Sequence, residues 1–137
     1  MTDVTLEERA PTADEYRKLR ADAGWDEVNT RAVSTGLRNS LYAACALSDG
    51  QVVGCGRVVG DGGLYFYVQD VIVAADHRGR GIGKRIMGSI LEYLDFRAEQ
   101  NAFVGLMATD GAAGFYERFG FKRRPDGRPG MYRVWGK

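Results

Sequence analysis

Residues 69–83, QDVIVAADHRGRGIG, constrain this chain more than any other stretch. Val71, Ile72 and Val73 continue a β-branched, apolar run that reads as a strand. Arg78, Gly79, Arg80, Gly81, Ile82, Gly83 and Lys84 form a basic, glycine-rich turn, and an amphipathic helix begins there. A strand that runs through such a turn into a helix stacks backbone N–H groups at the helix start. The helix dipole favours negative charge at the same place. Glycine leaves no Cβ between the backbone and an approaching oxyanion. The stretch therefore predicts a pocket for a phosphorylated ligand, with a diphosphate the best match.

Spacing narrows the ligand. A dinucleotide turn needs G-x-G-x-x-G, but the glycines here fall at 79, 81 and 83. A nucleoside triphosphate loop needs G-x-x-x-x-G-K-[ST]. Arg78 stands where its first glycine belongs, and Arg85 follows Lys84. What remains is Arg78-x-x-Gly81-x-Gly83 after a strand, which resembles the acyl-CoA signature [QR]-x-x-G-x-[GA] of the GNAT acetyltransferase superfamily.

The chain has 137 residues, enough for a single domain (1–137) with a real core. A net charge of +1 offers no broad field for nucleic acid or an anionic membrane. No apolar run reaches the length of a membrane span. The opening segment, MTDVTLEERAPTADE, is polar and acidic and lacks a signal-peptide core, so the expected location is the cytoplasm. Two cysteines do not suggest a disulfide framework. A single histidine and no C-x-x-C make a structural zinc site an unexpected feature, and no metal is expected.

In chain order, residues 4–8 read as a first edge strand. Thr12 and Glu15 form a capping box that starts a helix running to about Gly24. Residues 30–38 read as a second helix, with Trp25 in the connector. Residues 41–48 and 51–59 are strands joined by Asp49-Gly50, a two-residue hairpin signal. Undisturbed, that turn sets Cys45 opposite Gly54 and Cys55 opposite Ala44, with the thiols on opposite faces. Residues 64–73 form the next strand of an antiparallel meander. In residues 81–100, Ile82, Ile86, Ile90 and Leu94 with Met87 and Leu91 make one apolar stripe. Residues 102–108 then make a parallel neighbour of the 64–73 strand. A short helix over 111–119 ends at Gly120. Residues 121–124 and 131–135 read as final strands. The whole is a mixed α/β sheet with helices on both faces.

This order is similar to the GNAT fold. Residues 112–121, AAGFYERFGF, resemble that family's A-x-x-F-Y-x-x-x-G-F segment, and the two motifs come in the family's order. The resemblance spans residues 41–135. It implies a mostly antiparallel sheet in which a splayed parallel strand pair holds acyl-CoA. The donor would be acetyl-CoA, with homodimerisation through C-terminal strands. It further implies that the pantetheine arm pairs with the backbone of Val71, Ile72 and Val73, and the pyrophosphate with main-chain N–H groups from Arg78 to Lys84. Tyr116 matches the general acid that protonates the leaving thiolate. Thr109 stands where some relatives carry a cofactor-binding asparagine. The oxyanion would meet a backbone N–H of residues 71–73.

The amine's base has a weaker signal. Tyr67 occupies the position where some relatives carry a carboxylate. Gln69 and Asp70 lie beside it, and their side chains point to opposite faces, so that only one of them faces the cleft. Asp70 is the candidate base or amine-binding residue. Its alternative is a buried carboxylate paired with an arginine. His77 reads as support for the phosphate loop. Lys122, Arg123, Arg124 and Arg128 form a solvated basic face or a site for an acidic group.

The implied function is acetyl transfer from acetyl-CoA to a primary amine of a small molecule, directly in a ternary complex. Neither motif contains a cysteine, which disfavours an acyl-enzyme. The competing readings are a protein lysine or N-terminal acetyltransferase and a non-catalytic acyl-CoA-binding module.

Overall fold

A computed structural model describes residues 3–137, in two compact units, 3–106 and 107–137. The first unit holds a five-stranded sheet of sequential order, β1 (Val4–Glu7), β2 (Tyr42–Ser48), β3 (Gln51–Gly60), β4 (Tyr65–Val73) and β5 (Phe103–Gly105). The first four strands pair antiparallel, and β5 lies parallel to β4. Helices α1 (Ala13–Asp22) and α2 (Thr30–Arg38) precede β2, and α3 (Ile82–Arg97) makes the β4–β5 crossover.

Local chemistry explains most boundaries. Thr12 Oγ1 accepts from the Glu15 N–H while Glu15 accepts from the Thr12 N–H, a reciprocal cap on α1. Asn29 caps α2 by accepting from the N–H groups of Arg31 and Ala32. Asp49 and Gly50 both take positive φ, 52° and 76°, which matches the twist of a tight hairpin. Asp61 accepts from three successive N–H groups, those of Gly63, Leu64 and Tyr65, and so fixes the turn into β4.

The sheet buries both faces. On one, Ile86, Met87 and Ile90 of α3 are fully buried. A Cβ built on Gly56 would stand 2.6 Å from Ile86 Cγ2 and 3.1 Å from Ile90 Cδ1, so α3 sits almost on the β3 backbone. On the other, Leu19 of α1 packs with Cys45, Cys55 and Ile72. Because Ile86 is β-branched and enclosed, Gly56→Ala is expected to destabilise the fold by about 1–3 kcal/mol through overpacking. Urea unfolding reads this loss, and an unchanged midpoint would refute the close approach.

Two irregularities shift the register. The β2–β3 ladder slips between Ala46 and Leu47, which sets Cys45 directly opposite Cys55. The two thiols therefore share a face and one cluster, contrary to the regular-hairpin expectation. One extra residue in β3, Val53, has this effect because side-chain direction alternates with period two. Both thiols are buried and free. Burial pushes the Cys45 thiol up to about 11 and Cys55 higher still, so neither is a ready nucleophile.

The second unit carries α4 (Ala113–Glu117), whose end is followed by Gly120 at φ 90°. Phe115, Tyr116, Phe119 and Phe121 pack edge to face around it. The strands expected at 121–124 and 131–135 are absent: these segments carry no ladder, and Met131, Tyr132 and Trp135 are exposed. Alternating side chains make a strand only when a neighbouring strand accepts their backbone groups. The parallel strand is also shorter than expected, Phe103–Gly105.

Candidate active site

The parallel pair is short. Its ladder runs Tyr65↔Phe103, Phe66↔Val104 and Tyr67↔Gly105 and then stops, while β4 continues to Val73. Residues 68–73 thus lie beyond the last pair on that side of β4. The β3 side of β4 is regular except at one point. Cys55 faces Ile72 and Arg57 faces Gln69, so the single Gly56 opposes both Asp70 and Val71. This is a β-bulge, and Asp70 sits in it at φ 56°.

The bulge changes the phase of β4. Before it, Phe66 meets Tyr93 of α3. After it, Ile72 packs with Leu19 of α1. Directly paired residues share a face, so Gln69 lies on the face of its partner Arg57. Asp70 reaches that same face, because its carboxylate meets Arg57. The expectation that Gln69 and Asp70 diverge holds for a regular strand and fails at a bulge.

At the far end of β4, a single 3₁₀ turn (Ala75–His77) leads into the glycine-rich loop. The Ala75 N–H donates to Asp22 Oδ2 at 2.7 Å, which ties the turn to the end of α1. Gly79 and Gly81 both take φ 78°, and no atom stands within 4 Å of a Cβ built on either. Gly81 is the N-cap of α3, and no side chain caps it. The first helical bond there is from the Arg85 N–H to the Gly81 carbonyl. The N–H groups of Ile82, Gly83 and Lys84 precede that bond and stay without an intrahelical acceptor. Arg78, Arg80 and Lys84 are exposed around them, and Arg78 Nε also donates to the Val73 carbonyl at 3.1 Å. Uncapped donors, an open glycine turn and three cations fit a diphosphate. His77 is half-buried in the turn, and its Nδ1 has no hydrogen-bond partner.

Asp70 gathers three side chains around its carboxylate. Its Oδ2 accepts from Arg57 Nε at 2.7 Å and from the Tyr16 hydroxyl at 3.0 Å, and Arg20 Nη1 stands 3.7 Å from Oδ1. Arg57 continues to the Gly36 carbonyl and to Ser40 Oγ. Arg20 lies over the rings of Tyr16 and Trp25 and donates to the Asp26 carbonyl. Burial, then the Asp70 charge, raises the Tyr16 phenol, which stays a neutral donor. This matches the alternative reading of Asp70, a buried carboxylate paired with arginines. Tyr16, Arg20 and Arg57 were not readable as partners of Asp70. The one available hint was Gly54 and Gly56 inside a strand pattern, which signals a bulge or a close approach.

In the second unit, Tyr116 is half-buried on α4, and burial raises its phenol. The Thr109 carbonyl accepts from the Ala112 N–H at the start of that helix. Among the described residues, no cluster of His, Cys, Asp or Glu could hold a metal ion, and no helix is long and apolar enough to cross a membrane.

A short parallel pair that stops well before β4 ends, followed by an uncapped helix start, fits the acyl-group transferase frame that the motifs implied. Residues 39–123 match the acetyltransferase (GNAT) domain, and the chain belongs to that family of N-acetyltransferases. The structure superposes with TM-score 0.92 on a probable acetyltransferase of unknown function from methicillin-resistant Staphylococcus aureus. That protein is 31% identical, and the match covers 97% of this chain and 100% of the other. An uncharacterized N-acetyltransferase, ycf52, of Pyropia yezoensis is 27% identical over 122 residues, covering 86% of this chain and 69% of that protein. An aminoglycoside N-acetyltransferase in complex with CoA shares the fold, with TM-score 0.70 at 15% identity over 98% of this chain and 97% of that one. The GNAT fold, with a mixed sheet flanked by helices, is as the motifs implied. Acetyltransferases of this fold use acetyl-CoA.

Proposed function

We propose that this protein transfers the acetyl group of acetyl-CoA directly to the primary amine of a small molecule. The single observation that carries this reading is the β4 edge beyond Tyr67, which ends at the uncapped start of α3. On this reading the backbone of Val71, Ile72 and Val73 pairs with the pantetheine arm. The main-chain groups of residues 78–84 receive the pyrophosphate, with Arg78, Arg80 and Lys84 adding positive charge. Thr109 adds a cofactor contact. Tyr116 donates a proton to the departing thiolate. Asp70 lies on the acceptor side of the bulge. Both its oxygens face cationic or hydroxyl partners, so it contributes by fixing Arg57 and Tyr16, with water as the proton carrier for the amine. A backbone N–H of residues 71–73 meets the oxyanion on this reading, and of these Val71 lies in the bulge, where the β3 ladder is interrupted before it resumes at Ile72. The whole chain acts as one acetyltransferase domain, in the cytoplasm, and a homodimer is the assembly that the family resemblance implies.

Isothermal titration with acetyl-CoA, paired with a thiol-release assay over amines and peptides, tests this. Saturable binding with release for small amines is the expected result. Release for peptides alone would move the acceptor to protein lysines or N-termini, and binding with no release would mark a non-catalytic acyl-CoA module. No binding would overturn the assignment of residues 78–84.

A further inference from the structure

Arg57 has a donor left over. Its Nε and Nη1 are engaged by Asp70, the Gly36 carbonyl and Ser40 Oγ. Its Nη2 donates to nothing among the described residues, and it is not among the buried polar atoms that lack a partner. Arg57 lines a cavity of about 180 Å³ between α1 and α2, walled by Tyr16, Val28, Ala32, Val33 and Leu37. The Tyr16 hydroxyl already donates to Asp70. The cavity is therefore apolar, holds no acid, and presents one free guanidinium edge.

Charge points to what fills it. Arg20 and Arg57 share a single carboxylate, Asp70, and neither makes another ion pair among the described residues. Their side chains are 17% and 14% exposed. One positive charge in this cluster is thus only partly exposed and has no carboxylate of its own within ion-pair distance, a state that a bound monoanion relieves. One free nitrogen edge and one surplus charge suit a carboxylate, whereas a phosphate dianion calls for more donors. Asp70 immediately precedes Val71 in the bulge, so a group held by Arg57 lies one side chain from the β4 edge.

We infer that the acceptor carries a carboxylate, bound by Arg57 Nη2 in this cavity, alongside the amine that is acetylated. The acceptor is an amino acid, or an amine of that form, with a small apolar body that rests on Val28, Val33 and Leu37. This rests on the acetyltransferase reading above and deepens it.

Matched pairs test it: leucine against 3-methylbutylamine, methionine against 3-(methylthio)propylamine, phenylalanine against 2-phenylethylamine. The carboxylate-bearing member is expected to show a kcat/KM higher by about tenfold to hundredfold, as for a hydrogen bond to a charged group. Arg57→Gln should abolish that preference. Because Arg57 also supports Asp70, Ala32→Phe provides a second variant. Ala32 is exposed on α2, so its replacement fills the cavity and leaves the ion pairs in place, and it should raise KM for the amino acid. A third arm needs no turnover. N-Acetyl-leucine should bind the protein alone, seen by calorimetry, while N-acetyl-3-methylbutylamine should not, and Ala32→Phe should remove the difference. Equal treatment of both members of each pair, or a preference for the decarboxylated amine, would overturn the inference. Carboxylate-dependent binding without acetyl-CoA binding would sustain it and overturn the acetyltransferase reading instead.

Discussion

Replacing Tyr116 with phenylalanine is expected to lower kcat by about a hundredfold or more, with acetyl-CoA affinity unchanged. The leaving group is a thiolate whose conjugate thiol has a pKa near that of a phenol, ~10, so proton donation between them is nearly balanced. Removing a positioned acid of this kind costs ~10²–10⁴ in rate. The ring itself packs against Phe115 and Phe121, and phenylalanine preserves that packing, so the loss should be chemical rather than structural. The pH dependence gives a second check. Burial raises the Tyr116 phenol above its ordinary value of 10.0. With Tyr116 as the proposed general acid, turnover should hold through neutral pH and fall only as pH climbs through that raised value. The phenylalanine variant should lack this alkaline limb. Steady-state rates across pH, with titration of acetyl-CoA into both proteins, measure each effect. A variant with wild-type turnover would remove Tyr116 from the chemistry.

The elements whose signals are local were legible in the sequence. The Thr12–Glu15 capping box, the Asp49-Gly50 turn and the apolar stripe of α3 each involve residues within a few positions of one another. The structure carries all three. The second helix falls on residues 30–38 as the pattern predicts. The glycine-rich turn was legible for the same reason, because positive φ at Gly79 and Gly81 is a property of single residues. What escaped depends on distance. A bulge at Ala46/Leu47 exchanges the partners of Cys45 and Cys55, and a second bulge turns Asp70 to the face of Arg57. The hydrogen bond between Tyr16 and Asp70 spans 54 residues and leaves no trace in any local window. The final strands failed for the related reason that pairing is tertiary. MYRVW alternates correctly, yet no strand neighbour accepts it in the second unit.

That long-range network sets the second large effect. Asp70→Ala is expected to destabilise the protein by about 3–5 kcal/mol, because it strips a buried pair of its one anion. Arg57 and Arg20 would keep their charges at 14% and 17% side-chain exposure with no other ion pair among the described residues. Alanine at φ 56° adds backbone strain of about 1 kcal/mol or more. Against a total stability of roughly 5–15 kcal/mol for a domain, that loss is a large share. Asp70→Asn separates the two causes. Asparagine tolerates the left-handed conformation and keeps an oxygen for Arg57, but it cannot neutralise a guanidinium. It should therefore lose about 2–3 kcal/mol, less than alanine. Urea unfolding of the two variants gives both numbers. Losses below about 1 kcal/mol for Asp70→Ala would mean that water reaches both arginines. The surplus charge behind Arg57 would then be hydrated, and its claim on a substrate carboxylate would lose its physical basis. A loss of the expected size together with Asp70→Asn turnover reduced only in KM would support Asp70 as the clamp that holds Arg57 and Tyr16 against the proposed acceptor.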